Sequence, residues 1–270
     1  MPLKDKFKAK SGHFPLLQLR LRGPLHLVGI IRMAKNKNEF FELLFHHFSK
    51  RNIQRIAVRS HLQSESIFWY IYRRSVVTST LAKRIIAQNL RNINNPKINK
   101  IISKFYQTRY SNVAMQYGIE NEKHGLNTFF ETFKKTHINA KLQTTGLVLY
   151  NLRPFIGASP DGLLSCDCCQ NAIIEIKCPY RLKDAGIDSW SILEYFDPLQ
   201  NLKKSHTYFN QINLTQGILR RQVAYFVVYA KNEIIVKRID FDKEFFDHQI
   251  LNISQYYEKF YLPEVLGKKI

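Results

Sequence analysis

The stretch "GASPDGLL" (157–164) is followed by "AIIEIKCPY" (172–180). The second stretch places a glutamate and a lysine inside an apolar run that is typical of a buried strand. Residues two apart in a strand point to the same face, so Glu175 and Lys177 share one face and the flanking isoleucines share the other. Charged groups in a buried strand are costly unless they have partners, so Glu175 and Lys177 indicate a structural or functional role.

A carboxylate in the preceding turn points to a functional role. Asp161 lies in "SPDG", where the end of a strand can meet the face that carries Glu175. Two carboxylates together bind a hard divalent cation such as Mg²⁺, and the ammonium of Lys177 can hold an attacking water. This set favours metal-assisted cleavage of a phosphodiester. The alternative is a Glu–Lys pair on a half-exposed strand with Asp161 as an ordinary turn residue, and it is less favoured because both fragments occur together.

Composition and charge limit the classes of function. Of the 270 residues 45% are hydrophobic and 13% aromatic, which is typical of a globular chain and excludes a disordered one. The net charge of +20 favours a polyanionic partner: DNA, RNA or an anionic membrane face. No apolar run reaches the roughly 20 residues that a membrane-spanning helix needs, so we expect no membrane partner.

The first 37 residues are rich in lysine and arginine, opposed only by Asp5. We interpret this start as a solvated basic arm that contacts phosphates. A mitochondrial presequence is the alternative, because such segments are also poor in acidic residues.

The four cysteines are Cys166, Cys168, Cys169 and Cys178, a spacing that makes a poor disulfide framework and indicates a reducing compartment. They suggest a zinc or iron–sulfur site as an alternative. The adjacent pair is awkward as simultaneous ligands, and C-x₂-C pairs are absent. We therefore favour Cys178 as a small packed residue.

The hydrophobic period predicts an α/β (α+β) chain. A helix is expected at 114–136, followed by three extended runs at 142–150, 154–164 and 172–178. A helix near 205–220, strands at 223–230 and 233–240, and a last helix near 243–260 complete the pattern. The order predicts a mixed sheet flanked by helices.

At this point the sequence resembles the PD-(D/E)XK nuclease superfamily, specifically its YqaJ-like viral recombinase and lambda exonuclease branch. The "SPDG…IEIKCPY" motif carries the resemblance, and four further stretches extend it: "WYIYRRSVVTST" (69–80), "QYGIENE" (116–122), "YFNQINLTQ" (208–216) and "AYFVVYA" (224–230). The resemblance implies a restriction-endonuclease-like core with a central mixed sheet. It also implies a nuclease domain over 56–262, preceded by a basic extension with a short helix over 1–55.

The resemblance assigns roles to residues. Asp161, Glu175 and the backbone carbonyl of Ile176 would bind the metal, and Glu120 would approach from its helix as a further acidic ligand. Lys177 would activate the nucleophilic water.

Further residues would serve the substrate. Gln211 and Tyr208 would line the site from the later helix, Gln211 as part of the catalytic set and Tyr208 as a DNA contact. Arg73 and Thr80 would grip a terminal 5′-phosphate, for which guanidinium geometry is suited. Thr80 stands where the family usually has serine, and it keeps the hydroxyl.

The expected function is a Mg²⁺-dependent deoxyribonuclease, with Mn²⁺ as a second possible ion, that degrades DNA 5′ to 3′ from duplex ends in recombination and repair. A catalytically idle DNA-binding module is one alternative; an endonuclease or RNA-directed nuclease on the same scaffold is another. The resemblance implies as partners double-stranded DNA ends, further copies in a homo-oligomer, and a single-strand annealing protein. We expect a nuclear or other intracellular location, with mitochondria as the alternative.

Overall fold

The computed structural model describes residues 25–90 and 112–267. The first 24 residues of the basic start lie outside these ranges, as do residues 91–111 and 268–270. Within them the helices are α1 (Leu27–Met33), α2 (Lys37–His47), α3 (Lys50–Arg59), α4 (Ile67–Arg73), α5 (Ser79–Leu90), α6 (Val113–Phe133), α7 (Thr207–Leu219), α8 (Lys243–Tyr256) and α9 (Leu262–Gly267). Short 3₁₀ turns lie at Gln63–Glu65, Tyr180–Leu182 and Ile187–Ile192, and a π-helical turn, Tyr257–Tyr261, joins α8 to α9.

The described strands form two sheets. The strands are β1 (Val77–Thr78), β2 (Lys141–Gln143), β3 (Val148–Tyr150), β4 (Arg153–Ala158), β5 (Gly162–Ser165), β6 (Ala172–Lys177), β7 (Val223–Ala230) and β8 (Glu233–Asp240). The small sheet has the order β1-β4-β3, and the large sheet has the order β2-β5-β6-β7-β8. In the large sheet β6 and β7 are parallel and the other pairs are antiparallel. The predicted mixed sheet flanked by helices is confirmed.

Helices cover both faces of the large sheet. Ile174 and Ile176 of β6 pack with Phe129 and Phe133 of α6 on one face. Ile173 packs with residues of α7 on the other face. The buried helix α7 also contacts β3 and β4, so it lies between the two sheets. This layering explains why β6 is apolar on both faces except where it carries Glu175 and Lys177.

Two of the extended runs predicted from the sequence are each two strands, because the chain changes sheets within them. In the run 142–150, the Leu147 N–H bonds to Ser60 Oγ (2.9 Å) and the Thr145 carbonyl to Gln63 Nε2 (2.9 Å), so this backbone leaves the large sheet. In the run 154–164 the chain leaves the small sheet after Ala158 and enters the large one at Gly162. The turn between them carries Asp161.

The described part of the basic start is a buried helix. Leu27 and Ile30 of α1 are fully buried in the same cluster as Phe40 of α2 and Leu262 of α9. Residues 27–31 are therefore not part of a solvated arm, because Leu27, Val28, Ile30 and Ile31 are buried in the core. The division of the chain into an extension over 1–55 and a nuclease domain over 56–262 stays a prediction. None of the helices in residues 25–90 and 112–267 is long and apolar enough to span a bilayer.

Helix α6 begins at Asn112, whose Oδ1 accepts from the Met115 N–H at 2.8 Å, a standard N-cap. Two glycines on this helix meet different surroundings. A Cβ at Gly125 would lie 2.9 Å from Tyr229 Cβ and 3.1 Å from Ile176 Cγ2, whereas at Gly118 the nearest atom would be 4.0 Å away. Only Gly125 lets the helix approach β6 this closely.

These glycines provide a matched test of that approach. Gly118→Ala should raise the free energy of unfolding by up to about 1 kcal/mol, because alanine favours a helix. Gly125→Ala should lower the same quantity by about 1 kcal/mol, because crowding in a packed core costs about 1–3 kcal/mol and exceeds the helical gain. Urea unfolding of the two variants measures both values. Stabilisation by both substitutions would contradict the close packing of α6 on β6.

Candidate active site

Asp161 is bound to the strand that carries the other charged groups. Its N–H donates to the Ile174 carbonyl at 3.1 Å, and its Oδ2 accepts from the Ile176 N–H at 2.6 Å. Asp161 thereby continues the pairing of β5 with β6 by one residue and replaces the next backbone partner with a carboxylate. The turn and the "EIK" triplet meet, as the sequence predicted.

Glu175 is almost fully buried, with 2% of its surface exposed. Its Oε1 accepts hydrogen bonds from Lys177 Nζ on the same strand and from Gln211 Nε2 on α7. A buried carboxylate requires such partners, because an unpaired charge in the interior costs several kcal/mol or more. The predicted residues Glu175, Lys177 and Gln211 thus form one connected group.

Lys177 lies at the centre of this group. Its Nζ also donates to the Ile176 carbonyl at 3.0 Å and lies 5.1 Å from the ring centroid of Tyr208. Burial by itself would lower the pKa of Lys177, but the carboxylates of Glu175 and Asp161 outweigh it and raise the pKa above its usual value. Lys177 is therefore a cation at neutral pH, held beside two carboxylates and a backbone carbonyl.

The charges around Asp161 oppose its ionisation. Burial raises the pKa of Asp161 well above its usual value, and the charges of Glu175 and Glu122 raise it further. Lys177 and the hydrogen bond from the Ile176 N–H lower the pKa only in part. The site gathers more negative charge than its single lysine offsets.

This donor set fits a divalent cation. Carboxylate oxygens of Asp161 and Glu175 and the Ile176 carbonyl are hard oxygen ligands of the kind that Mg²⁺ and Mn²⁺ take. A bound cation would also offset the repulsion from Glu175, which adds to the effect of burial on the pKa of Asp161.

The predicted acidic ligand from α6 has a different environment. Glu120 is exposed, and its Oε1 accepts from Gln116 Nε2, one turn earlier on the same helix, at 2.9 Å. Within the structure it is not brought to the other carboxylates, and its role as a ligand stays a prediction.

A second glutamate of α6, Glu122, lies close enough to the site for its charge to affect the groups there. It is half-buried, and its charge raises the pKa of both Asp161 and Cys178. It lies four residues after Gly118 and three before Gly125, so the three share the helix face that packs on β6. Sequence reasoning missed Glu122, although the spacing of the glycines and of Phe129 marks this face.

Arg73 lies near the same turn. Its guanidinium stacks on Trp69 at 3.8 Å from the ring centroid, and Trp69 Nε1 donates to Ser159 Oγ, two residues before Asp161, at 3.0 Å. Among the described residues Arg73 has no carboxylate within ion-pair distance, and burial lowers the pKa of Arg73 to about 10. A guanidinium in such a place is suited to an anionic ligand.

Thr80 lies in the first turn of α5, directly after β1. It is exposed, and its Oγ1 lies 2.9 Å from Thr78 Oγ1. Strand β1 pairs in parallel with β4, with Thr78 opposite Gly157, so this helix start lies beside the strand that leads to Asp161. The N-terminus of a helix favours phosphate.

A family model for the YqaJ-like viral recombinase domain matches residues 68–213, more than half of the chain. The chain belongs to this family. The resemblance inferred from the sequence is confirmed, and the matched range includes Arg73, Asp161, Glu175, Lys177 and Gln211. No curated protein matches the chain.

Solved structures share the fold of this YqaJ-family chain. LHK-Exo, an alkaline exonuclease from Laribacter hongkongensis solved in complex with dAMP, is 22% identical with a TM-score of 0.53, over 74% of this chain and 94% of its own. The shutoff and exonuclease protein (SOX) of Kaposi's sarcoma-associated herpesvirus is 10% identical with a TM-score of 0.57, over 86% of this chain and 76% of its own. At these identities the likeness establishes the fold.

The raised pKa of Asp161 gives a test with a defined sign. The folded protein binds this proton more tightly than the unfolded chain does, so stability is lost as the pH rises through the folded pKa. Asp161→Asn keeps an oxygen for the Ile176 N–H and removes the charge. Without metal at pH 8 it should raise the melting temperature by about 2–4 °C, and the gain should shrink as the pH falls toward 4.

Asp197→Asn is the control of opposite sign. The hydrogen bond from the Asn201 N–H lowers the pKa of this exposed carboxyl, so its neutralisation should bring no gain at pH 8. Thermal denaturation in EDTA over a range of pH measures both variants. A lower melting temperature for Asp161→Asn than for wild type at pH 8 would contradict the described charge balance.

Proposed function

We propose that this YqaJ-family chain is a divalent-metal-dependent deoxyribonuclease that hydrolyses one strand of duplex DNA in the 5′ to 3′ direction from an end. The observation that carries the proposal is the convergence of Asp161 and buried Glu175 around the amine of Lys177. Family membership supports a nuclease that acts on DNA, and it supports a metal ion. Mg²⁺ is the proposed ion and Mn²⁺ the proposed substitute.

The residues of the chain divide the work. Asp161, Glu175, the Ile176 carbonyl and Glu122 would hold the ion, which supplies Lewis acidity toward the scissile phosphate. Lys177 would orient the attacking water, because its pKa is raised and it stays a hydrogen-bond donor at neutral pH. Gln211 fixes the Glu175 carboxylate from α7, so the carboxylate needs no rearrangement when substrate arrives.

The 5′ to 3′ direction of hydrolysis would come from recognition of the 5′ end of the DNA strand. Arg73 and Thr80 lie on α4 and at the start of α5, beside the strand and turn that lead to Asp161. We assign them the terminal 5′-phosphate, which Arg73 would contact through its planar donors. Tyr208, whose ring lies beside Lys177, would contact the DNA strand.

Membership of the YqaJ family also supports proposals about the substrate, the oligomer, the partner protein and the location. We propose duplex DNA ends as the substrate, a homo-oligomer that encloses the duplex, and a single-strand annealing protein as the partner in recombination, inside the cell. The basic chain would bind the duplex electrostatically, so affinity should fall with salt.

RNA is the second candidate substrate. Structures of SOX have been solved in complex with DNA and with RNA, and the fold is shared. A comparison of duplex DNA, circular DNA and RNA separates exonuclease, endonuclease and RNA-directed activity. Binding of DNA without cleavage of any substrate would favour the idle module instead.

Two glutamates on α6 give the sharpest test of the site. Glu122→Gln should reduce cleavage of linear duplex DNA and the affinity for Mg²⁺ by about 10–100-fold, because it removes a negative charge beside the metal ligands. Glu120→Gln, the matched variant on the exposed face, should stay within about 2-fold of wild type if Glu122 is the ligand from α6, and a larger loss in Glu120→Gln than in Glu122→Gln would favour the ligand predicted from the sequence. Initial rates over a Mg²⁺ titration measure both effects.

Lys177→Met extends this test to the water. Removing a group that orients or activates the nucleophile lowers the rate by about 10²–10⁴-fold. Full activity of Lys177→Met, or an equal loss in the two glutamine variants, would show that the site is assigned wrongly.

The 5′-phosphate assignment has its own test. We expect wild-type protein to digest 5′-phosphorylated duplex faster than 5′-hydroxyl duplex. Arg73→Lys should reduce this ratio by about 10-fold, because lysine lacks the planar bidentate donors. The neighbouring Arg74→Lys should keep the ratio. A wild-type enzyme indifferent to the 5′ group would overturn the assignment without affecting the metal site.

A further inference from the structure

The loop that joins β5 to β6 brings three cysteines to a histidine from another part of the chain. We propose that His137, Cys166, Cys168 and Cys169 bind a zinc ion there, separate from the catalytic cation. The ligand atoms of His137, Cys168 and Cys169 all lie within 4.8 Å of one another. In this cluster His137 takes the place of Cys178, which was the fourth candidate ligand in the sequence.

The two separations from Cys168 to its neighbouring sulfurs are close to those of a tetrahedral centre, and Cys166, which lies outside the 4.8 Å group of the other three, adjoins it through Cys168. Cys168 Sγ lies 3.6 Å from Cys166 Sγ and 4.0 Å from Cys169 Sγ. Ligands at the usual zinc–sulfur distance of about 2.3 Å stand about 3.8 Å apart at the corners of a tetrahedron. The adjacency of Cys168 and Cys169 therefore does not prevent both thiols from facing one ion.

The imidazole of His137 is fixed as a ligand would be. Its ring stacks on Phe133 with centroids 3.5 Å apart and planes 11° apart. Its Nδ1 lies 2.9 Å from the Phe133 carbonyl and 3.0 Å from Thr136 Oγ1. A proton on Nδ1 that is donated to the carbonyl leaves Nε2 as the metal donor, the usual arrangement for a zinc-bound histidine.

Backbone and side-chain bonds hold the two segments together. The Asp167 N–H donates to the Ile138 carbonyl at 3.0 Å, and Asn139 Nδ2 donates to Asp167 Oδ2 at 2.6 Å. Strand β2 then pairs with β5, with Lys141 opposite Ser165. The approach of His137 to the cysteines is thus a consequence of the fold.

The chemistry of the ligands selects the ion. Three thiolates and one imidazole form a Cys₃His set, which is typical of structural zinc and unsuited to Mg²⁺. Cys178, the remaining cysteine, is not part of it. Cys178 is buried at the far end of β6 with Ile176 and Phe129, as the sequence predicted.

A zinc ion at this position would act as a clamp. It would join the end of α6 to the β5–β6 hairpin, whose opposite end carries Asp161 and Glu175. The six residues of β6 span about 20 Å, so the zinc would stabilise the hairpin without touching the reacting phosphate. Four protein ligands leave no open position, as in structural sites.

Zinc content of the untagged, full-length protein tests the proposal. After expression in zinc-supplemented medium, elemental analysis should find close to one zinc per chain in wild type and in the control Cys178→Ser. The double variant Cys168→Ser/Cys169→Ser should lose the zinc, and its substituted side chains are exposed, so it should fold. Circular dichroism checks that the double variant folds. His137→Asn is the second variant, and it should also lose the zinc.

Cobalt and a chelator give independent readouts. Co²⁺ added to the zinc-free wild type should produce thiolate-to-cobalt charge-transfer absorption and tetrahedral visible bands, which the double variant lacks. A zinc-selective chelator in Mg²⁺ buffer should lower the melting temperature of wild type and leave that of the double variant unchanged. Wild type without zinc and without cobalt bands, or an unchanged zinc content in the double variant, would overturn the proposal and leave the nuclease assignment intact.

Discussion

The hydrogen bond from the Ile176 N–H to Asp161 Oδ2 joins the turn that carries Asp161 to β6, the strand that carries Glu175 and Lys177. The chain passes from the small sheet to the large one through the turn 159–161, so the position of this turn determines how β4 and β5 are placed. Trp69 holds the turn from outside through Ser159. The carboxylate that is proposed to bind metal is thus also the group that ends the pairing of β5 with β6.

The bond between Asp161 and β6 also determines which charged groups lie together in the site. Burial of Glu175 between the sheet and α7 requires the donors that Lys177 and Gln211 provide. Burial raises the pKa of Asp161, and the charge of Glu175 raises it further. A site with this imbalance favours a cation and a phosphate next to it, which is the basis on which nuclease chemistry is assigned to it.

Much of this arrangement could be predicted from the sequence, because strand periodicity alone places Glu175 and Lys177 on one face. The breaks in the two extended runs could not, since the bonds at those breaks come from residues far away in sequence: Gln63 at Pro160 and Ser60 at Leu147. The nearness of Glu122 to the site could not be predicted either, because it depends on which face of α6 packs on β6, and the role of Glu120 stays a prediction. His137 escaped notice because only the fold brings it beside the cysteine loop.

The most direct measurement is a crystal structure of the protein with Mn²⁺, with the ion located by its anomalous scattering. The account predicts an anomalous peak within coordination distance of carboxylate oxygens from both Asp161 and Glu175, with the Ile176 carbonyl as a further ligand. Manganese bound elsewhere, with these two carboxylates turned apart and paired only with protein groups, would contradict it.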